Sequence, residues 1–261
     1  KFSNEEIQSK KFFLKKFIEN GFPNRKQEDW KFLDISQIIK KNISDLSFFN
    51  DYSLPNKIDP SIFVDGLEHN KIIFINGRIE KIEFSYEDKN QIEIYDDIKS
   101  EDNFSVKNSL INLNNAFSNK YYKILVKKGY SIKKPLIIYH LTNEKMKSKN
   151  INIRLDFELQ ENSSLKLIDF FNDITNKNFM NIFYNFKLKN DSILKNYKID
   201  KSLNQNLKYS FNNIDQEKNS ISETFIFSAG SNYFKNEINC NLSGEYSSAF
   251  INGIFSLRNN Q

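Results

Sequence analysis

The sequence predicts a mainly β protein, a parallel β-helix (β-solenoid) core preceded by a small helical to α+β N-terminal domain. Two observations carry that prediction. The first is a series of polar turns: Glu161-Asn162-Ser163-Ser164, Asn190-Asp191-Ser192, Glu217-Lys218-Asn219-Ser220 and Gly244-Glu245-Tyr246-Ser247. The apolar residues before them, Leu159, Leu188, Ile214 and Leu242, recur about every 28 residues, a period of the kind that marks stacked repeats. A second series, Asn172-Asp173, Asp200-Lys201-Ser202 and Ser228-Ala229-Gly230-Ser231, has the same interval and interleaves with the first. Each unit is therefore strand, turn, strand, turn.

The second observation is the alternation between the turns. Ile151, Ile153, Leu155, Phe157 and Leu159 alternate with Asn152, Arg154, Asp156 and Glu158, the two-residue period of a strand. Met180, Ile182, Tyr184, Phe186 and Leu188 repeat it, as do Phe234, Ile238, Cys240 and Leu242. Such strands bury one face, and successive units bury theirs by stacking. The rival is an antiparallel sandwich, whose turns recur every ~8–12 residues rather than about 14 as here.

Upstream, Ser3-Asn4-Glu5-Glu6 reads as a capping box with Phe2 and Ile7 as its hydrophobic staple. Ile7, Leu14, Phe17 and Ile18 then form the apolar stripe of a helix over Asn4–Asn20, and Gly21 supplies the left-handed residue that ends it. In the charged segment that follows Pro23, Trp30 anchors an irregular stretch to the body while its charges stay in water. Residues 34–60 read as helical to irregular. Asn76-Gly77 between residues 71–75 and 78–84 is the strongest short hairpin signal. Ser109–Phe117 reads as a short helix, and Tyr121–Val126 and 136–141 as strands entering the coils. The boundary falls near residues 102–115, giving an N-terminal domain over 1–105, hairpin included, and a β-helix core over 106–261.

Composition narrows the function classes. The chain of 261 residues is 39% hydrophobic, with 25 Phe and 12 Tyr, enough for a large core. Its net charge of +5 comes from 38 basic residues interspersed with 33 acidic ones, without a basic block or a nucleic-acid motif. Cys240 is the only cysteine, so no intramolecular disulfide forms. No apolar run reaches the ~18 residues needed to cross a bilayer, and there is no signal-peptide core. A cytoplasmic location is expected. The chain starts at Lys1 without a methionine and stops at Gln261 just after a strand, as an excerpt of a longer protein would.

A metal centre needs several converging ligands, and the soft or imidazole supply is Cys240, His69 and His140. Cys240 shares the apolar face of its strand and is expected inside the coil, where burial raises a thiol's pKa. His140 shares parity with Leu136 and Ile138 and is expected in the core or at a coil end; His69 is expected to be exposed. Neither a G-x-S-x-G elbow nor a phosphate-binding G-x-x-x-x-G-K-[ST] loop is present. Asp156 and Glu158 sit two apart on one polar strand face, where acid–base work is geometrically open. Their flanking Arg154 and Asn152 favour a solvated face instead. No catalytic residue and no metal ligand is therefore assigned, and the cofactor-binding residues are unknown.

Several segments resemble the SufB/SufD scaffold family of the SUF iron–sulfur cluster assembly system, and its SufD branch in particular. Gly21-Phe22-Pro23 followed by Lys26, Glu28 and Trp30-Lys31-Phe32 is similar to the family's G-x-P…K-x-E-x-W-K-Y signature, with Phe32 in place of Tyr. Phe74-Ile75-Asn76-Gly77-Arg78 resembles the F-V-N-G-R strand and turn of SufD. Leu113-Asn114-Asn115-Ala116-Phe117, Val126-Lys127-Lys128-Gly129 and Lys134-Pro135-Leu136-Ile137-Ile138 match the start of the shared core in order and spacing. Asn236-Glu237-Ile238 through Leu242-Ser243-Gly244-Glu245 is similar to its late N-x-x-L-x-G-E segment.

The resemblance implies a right-handed β-helix and a scaffold subunit rather than an enzyme. It implies a SufB-type scaffold and a SufC-type ATPase as partners in a hetero-oligomer, with a homodimer open to the isolated chain and no nucleic-acid or membrane partner. It also implies an iron–sulfur cluster held transiently at the complex interface, not by this segment alone. The cluster-interface ligands and ATPase-docking helices would lie beyond Gln261. The alternatives are a SufB-type scaffold and, from another class, a carbohydrate-active β-solenoid enzyme acting through Asp156 and Glu158.

Overall fold

The computed structural model describes residues 3–43, 46–48, 60–96, 108–118, 120–173, 177–200, 206–229 and 233–256. The N-terminal part holds α1 (Asn4–Asn20) and α2 (Ile35–Ile38), which runs on as a π-helical turn over Ile39–Ile43. The short strand β1 (Ser47–Phe48), β2 (Asn70–Ile75), β3 (Arg78–Glu83), β4 (Ile92–Asp96) and α3 (Ser109–Phe117) follow. Then ten strands succeed one another: β5 (Tyr121–Val126), β6 (Leu136–Thr142), β7 (Lys149–Leu159), β8 (Ser164–Asp173) and β9 (Phe179–Leu188). The set is completed by β10 (Ile193–Asp200), β11 (Leu207–Gln216), β12 (Ile221–Ala229), β13 (Tyr233–Leu242) and β14 (Ser248–Ser256).

Alternate strands enter alternate sheets. One sheet runs β13-β11-β9-β7-β5-β4 with β1 beside the start of β7, and the other β14-β12-β10-β8-β6-β2-β3. All pairings among β5 to β14 are parallel: Leu159 lies opposite Leu188, Leu188 opposite Gln216, and Gln216 opposite Leu242. Gln216 thus takes the place that the repeat series gave to Ile214, which lies two residues earlier, opposite Phe186 and Cys240. About four turns of solenoid result.

The repeated turns form one corner. Asn162, Asp191, Asn219 and Tyr246 occupy it in successive coils, with φ of 57°, 59°, 56° and 60°. Asn and Asp tolerate this left-handed conformation better than other side-chain-bearing residues. The serine after each of them, Ser163, Ser192, Ser220 and Ser247, donates its hydroxyl proton to the carbonyl three residues back at 2.7 Å. Each corner also bonds to the next: Asn162 N donates to Asn190 O, Asp191 N to Lys218 O and Asn219 N to Glu245 O. A Cβ on Gly244 would stand 2.0 Å from Lys218 N, so a glycine lets the last corner close on the one before.

Antiparallel strands finish the N-terminal end of both sheets. β4 pairs antiparallel with β5, and β3 with β2. The hairpin that the sequence reading placed in the N-terminal domain supplies the edge of the second sheet, because β2 runs parallel to β6 and Ile72 and Phe74 join the solenoid core. Gly77 makes its turn at φ 83°, where a Cβ would lie 2.5 Å from Ile151 Cγ2. The capping box of α1 is present, and Gly21 ends the helix with its N–H on Phe17 O. The Phe2 half of the staple lies outside the described residues.

Candidate functional site

The interior of the solenoid changes character along its axis. On the first sheet, Leu155 and Tyr184 are followed in register by Asn212 and Ile238, and Ile153 and Ile182 by Ser210 and Asn236. On the second, Leu136 and Leu167 are followed by Asn196 and Thr224. Two apolar rungs give way to polar ones at β10 and β11. Asn196, Ser210 and Asn212 are nonetheless buried.

At this transition sits a buried charged cluster. Asp169 and Lys198 are register partners on β8 and β10, and Lys198 Nζ donates to Asp169 Oδ2 at 2.8 Å. The Tyr184 hydroxyl donates to the same oxygen at 2.5 Å. His140 Nε2 lies 2.7 Å from Asp169 Oδ1 and 3.0 Å from the Tyr184 hydroxyl. The His140 ring is stacked on Phe171 and Phe74, with centroids 4.8 and 5.4 Å away, and Lys198 Nζ sits 3.9 Å from the centre of the Tyr184 ring. Burial works against the Asp169 charge, yet Lys198 and His140 hold its carboxyl well below the usual carboxylate range. Burial pushes the Lys198 ammonium down against the pull of Asp169, and burial with the Asp169 charge pushes Tyr184 well up. A second buried pair follows, Lys208 Nζ donating to Asp200 Oδ1 at 2.9 Å.

Three donors thus converge on Asp169, so it serves as a charge anchor rather than a free base. The cluster binds strands of three successive coils together. Sequence reading expected His140 in the core and finds it there, but missed Asp169, Tyr184, Lys198, Asp200 and Lys208. A signal existed: Asp169 and Lys198 stand one repeat period apart on the inward parity of their strands.

The other sequence candidates are dispersed. Cys240 is half-buried against the core, as expected, and burial pushes its thiol up. His69 is buried, not exposed: its Nδ1 faces Leu67 O at 2.6 Å and its Nε2 the Tyr139 hydroxyl at 2.9 Å. Leu67 O only accepts, so the Nδ1 proton points there. Arg154 and Asn152 are buried as well, contrary to the solvated reading. The reason is α3, which lies across β7 and β9: Arg154 Nη1 donates to Asn115 Oδ1 at 2.8 Å, and Asn114 Nδ2 to Ile153 O and Asn181 O. Asp156 is held by Arg154 and Glu158 by Lys123, so each carboxylate has its own cation. Trp30 is buried beside Tyr209 with Lys235 Nζ 4.5 Å from its ring, while residues 25–29 are exposed. Among the described residues no three His, Cys, Asp or Glu side chains converge as a metal set, and no helix is long and apolar enough to cross a membrane.

The last coil is the surface that differs from the rest. Leu242, Phe250, Ile251, Ile254 and Phe255 are each about half exposed and Tyr246 about four-fifths. Phe250 and Ile254 point outward from the second sheet, Ile251 and Phe255 toward its interior side, so β14 is apolar on both faces. Among the described residues β14 has no strand neighbour on its far side, and its apolar side chains are half exposed there.

No curated protein matches the chain. Residues 139–261, the stretch that holds the end of β6 and all of β7 to β14, match the family model described as SUF system FeS cluster assembly, SufBD core domain. The coils from β7 onward and the charged interior fall within that match, which supports the SufB/SufD family for this chain.

Proposed function

We propose that this chain is a SufD-type scaffold subunit of iron–sulfur cluster assembly. It works in the cytoplasm beside a SufB-type scaffold and a SufC-type ATPase, without catalysis of its own. The observation that carries this reading is the match of the parallel coils over residues 139–261 to the SufBD core domain. A stack of coils bonded corner to corner is a stiff platform that holds a partner-facing surface in fixed register. The hairpin sequence Phe74-Ile75-Asn76-Gly77-Arg78 favours SufD over SufB. The iron–sulfur cluster is cargo of the assembled complex, and ATP turnover by the partner drives the change at the scaffold interface.

Co-purification with tagged SufB-type and SufC-type partners tests the assignment. The SufB-type scaffold is expected to retain the chain, and Ile251→Lys on the exposed edge to release it at least tenfold. Retention by neither partner contradicts the reading. Retention by a SufD-type scaffold in place of the SufB-type one would make the chain the SufB-type member.

A further inference from the structure

Asn196 is buried inside the second sheet, yet neither its Nδ2 nor its Oδ1 has a hydrogen-bond partner among the described residues. The same holds for Asn212 Oδ1 and Asn236 Nδ2, two buried atoms on the inward side of the first sheet. Nearby, His140 Nδ1 is also without a partner, while several interior polar groups are matched. Lys198 and Lys208 are paired with carboxylates, Ser222 donates to Gln216 Oε1 at 2.7 Å, and Gln216 Nε2 donates to Ser248 O at 2.9 Å. The three asparagines leave two donors and two acceptors unmatched. An ion would satisfy one kind and repel the other. Asn196 alone presents an unmatched donor and an unmatched acceptor, so a small ligand that both donates and accepts fits it.

We propose that the interior of the β10–β13 coils is a hydrated site, with water as its ligand and Asn196 as the main residue holding it. The register supports this. Asn196 takes the place that Leu136 and Leu167 fill in the preceding rungs, so an apolar residue of similar volume suits the position and the amide serves another end. A buried amide left unmatched loses its hydration without return, whereas bridging water restores it.

Oxygen-17 water relaxation dispersion on the protein and on Asn196→Leu is the test. The wild type is expected to hold at least one more long-lived internal water than the variant, and the urea midpoint of the variant to be unchanged or higher. An equal water count in the two proteins overturns the proposal. So does a midpoint for Asn196→Leu lowered as far as that of Leu167→Ala, because the position would then need its amide for the fold itself. If Asn196→Leu does not fold, Asn196→Ala gives the same comparison, and an unchanged water count again overturns the site.

Discussion

At the scale of single residues, a carboxylate buried between a lysine and a histidine depends on its neighbours for its charge. Asp169→Asn leaves the Lys198 ammonium buried without its counter-charge, and is expected to lower stability by about 3–5 kcal/mol in urea unfolding. Asp169→Asn with Lys198→Met removes both charges and is expected to recover most of that loss; a double variant as unstable as the single one contradicts the pairing. The pH dependence has a definite sign. The folded pKa of Asp169 is depressed, so its contribution is complete above the unfolded value of about 4 and is lost as pH falls through the folded one. Wild-type stability should therefore fall in acid more steeply than that of the double variant. Little of this network was legible in the sequence. Asp169 and Lys198 meet only once the register is known, and Arg154 and His69 are buried by α3 and Tyr139, which lie far away in the chain.

At the scale of elements, the corner turns set the register and were the most legible feature. Asn162, Asp191, Asn219 and the serines beside them repeat a local chemistry, left-handed backbone followed by a hydroxyl cap, that needs no distant partner to be recognised. Tyr246 breaks the series, since an aromatic residue in that conformation costs about 1–2 kcal/mol that Asn largely avoids. Tyr246→Asn is expected to raise the stability of the last coil by about 1 kcal/mol; lower stability in thermal melts would contradict the strain. Gly244→Ala is expected to act the opposite way, because its Cβ meets the Lys218 backbone at 2.0 Å. Faster amide exchange confined to β13 and β14 would show it. The polar interior was harder to read: β10 and β12 carry Tyr197, Ile199, Phe225 and Phe227 outward and Asn196, Lys198 and Ser222 inward. Simple alternation would have turned both strands over, and the corner turns are what hold them.

At the scale of the whole molecule, the two ends of the solenoid differ. Antiparallel β3 and β4 finish one end, and β14 leaves an apolar edge at the other. The 1–261 segment by itself is expected to self-associate through the side of β14 that has no described neighbour. Light scattering after size-exclusion chromatography should show oligomers of that segment that Ile254→Lys returns to a monomer; a clean monomer without the substitution would contradict it. The same edge is the one proposed to meet a SufB-type scaffold. The most direct test is hydrogen exchange along the chain, alone and bound to that scaffold. Protection is predicted to rise in β13 and β14 and to leave α1 and the β2–β3 hairpin unchanged. Protection gained only in α1 through β4 would contradict the last coil as the partner face.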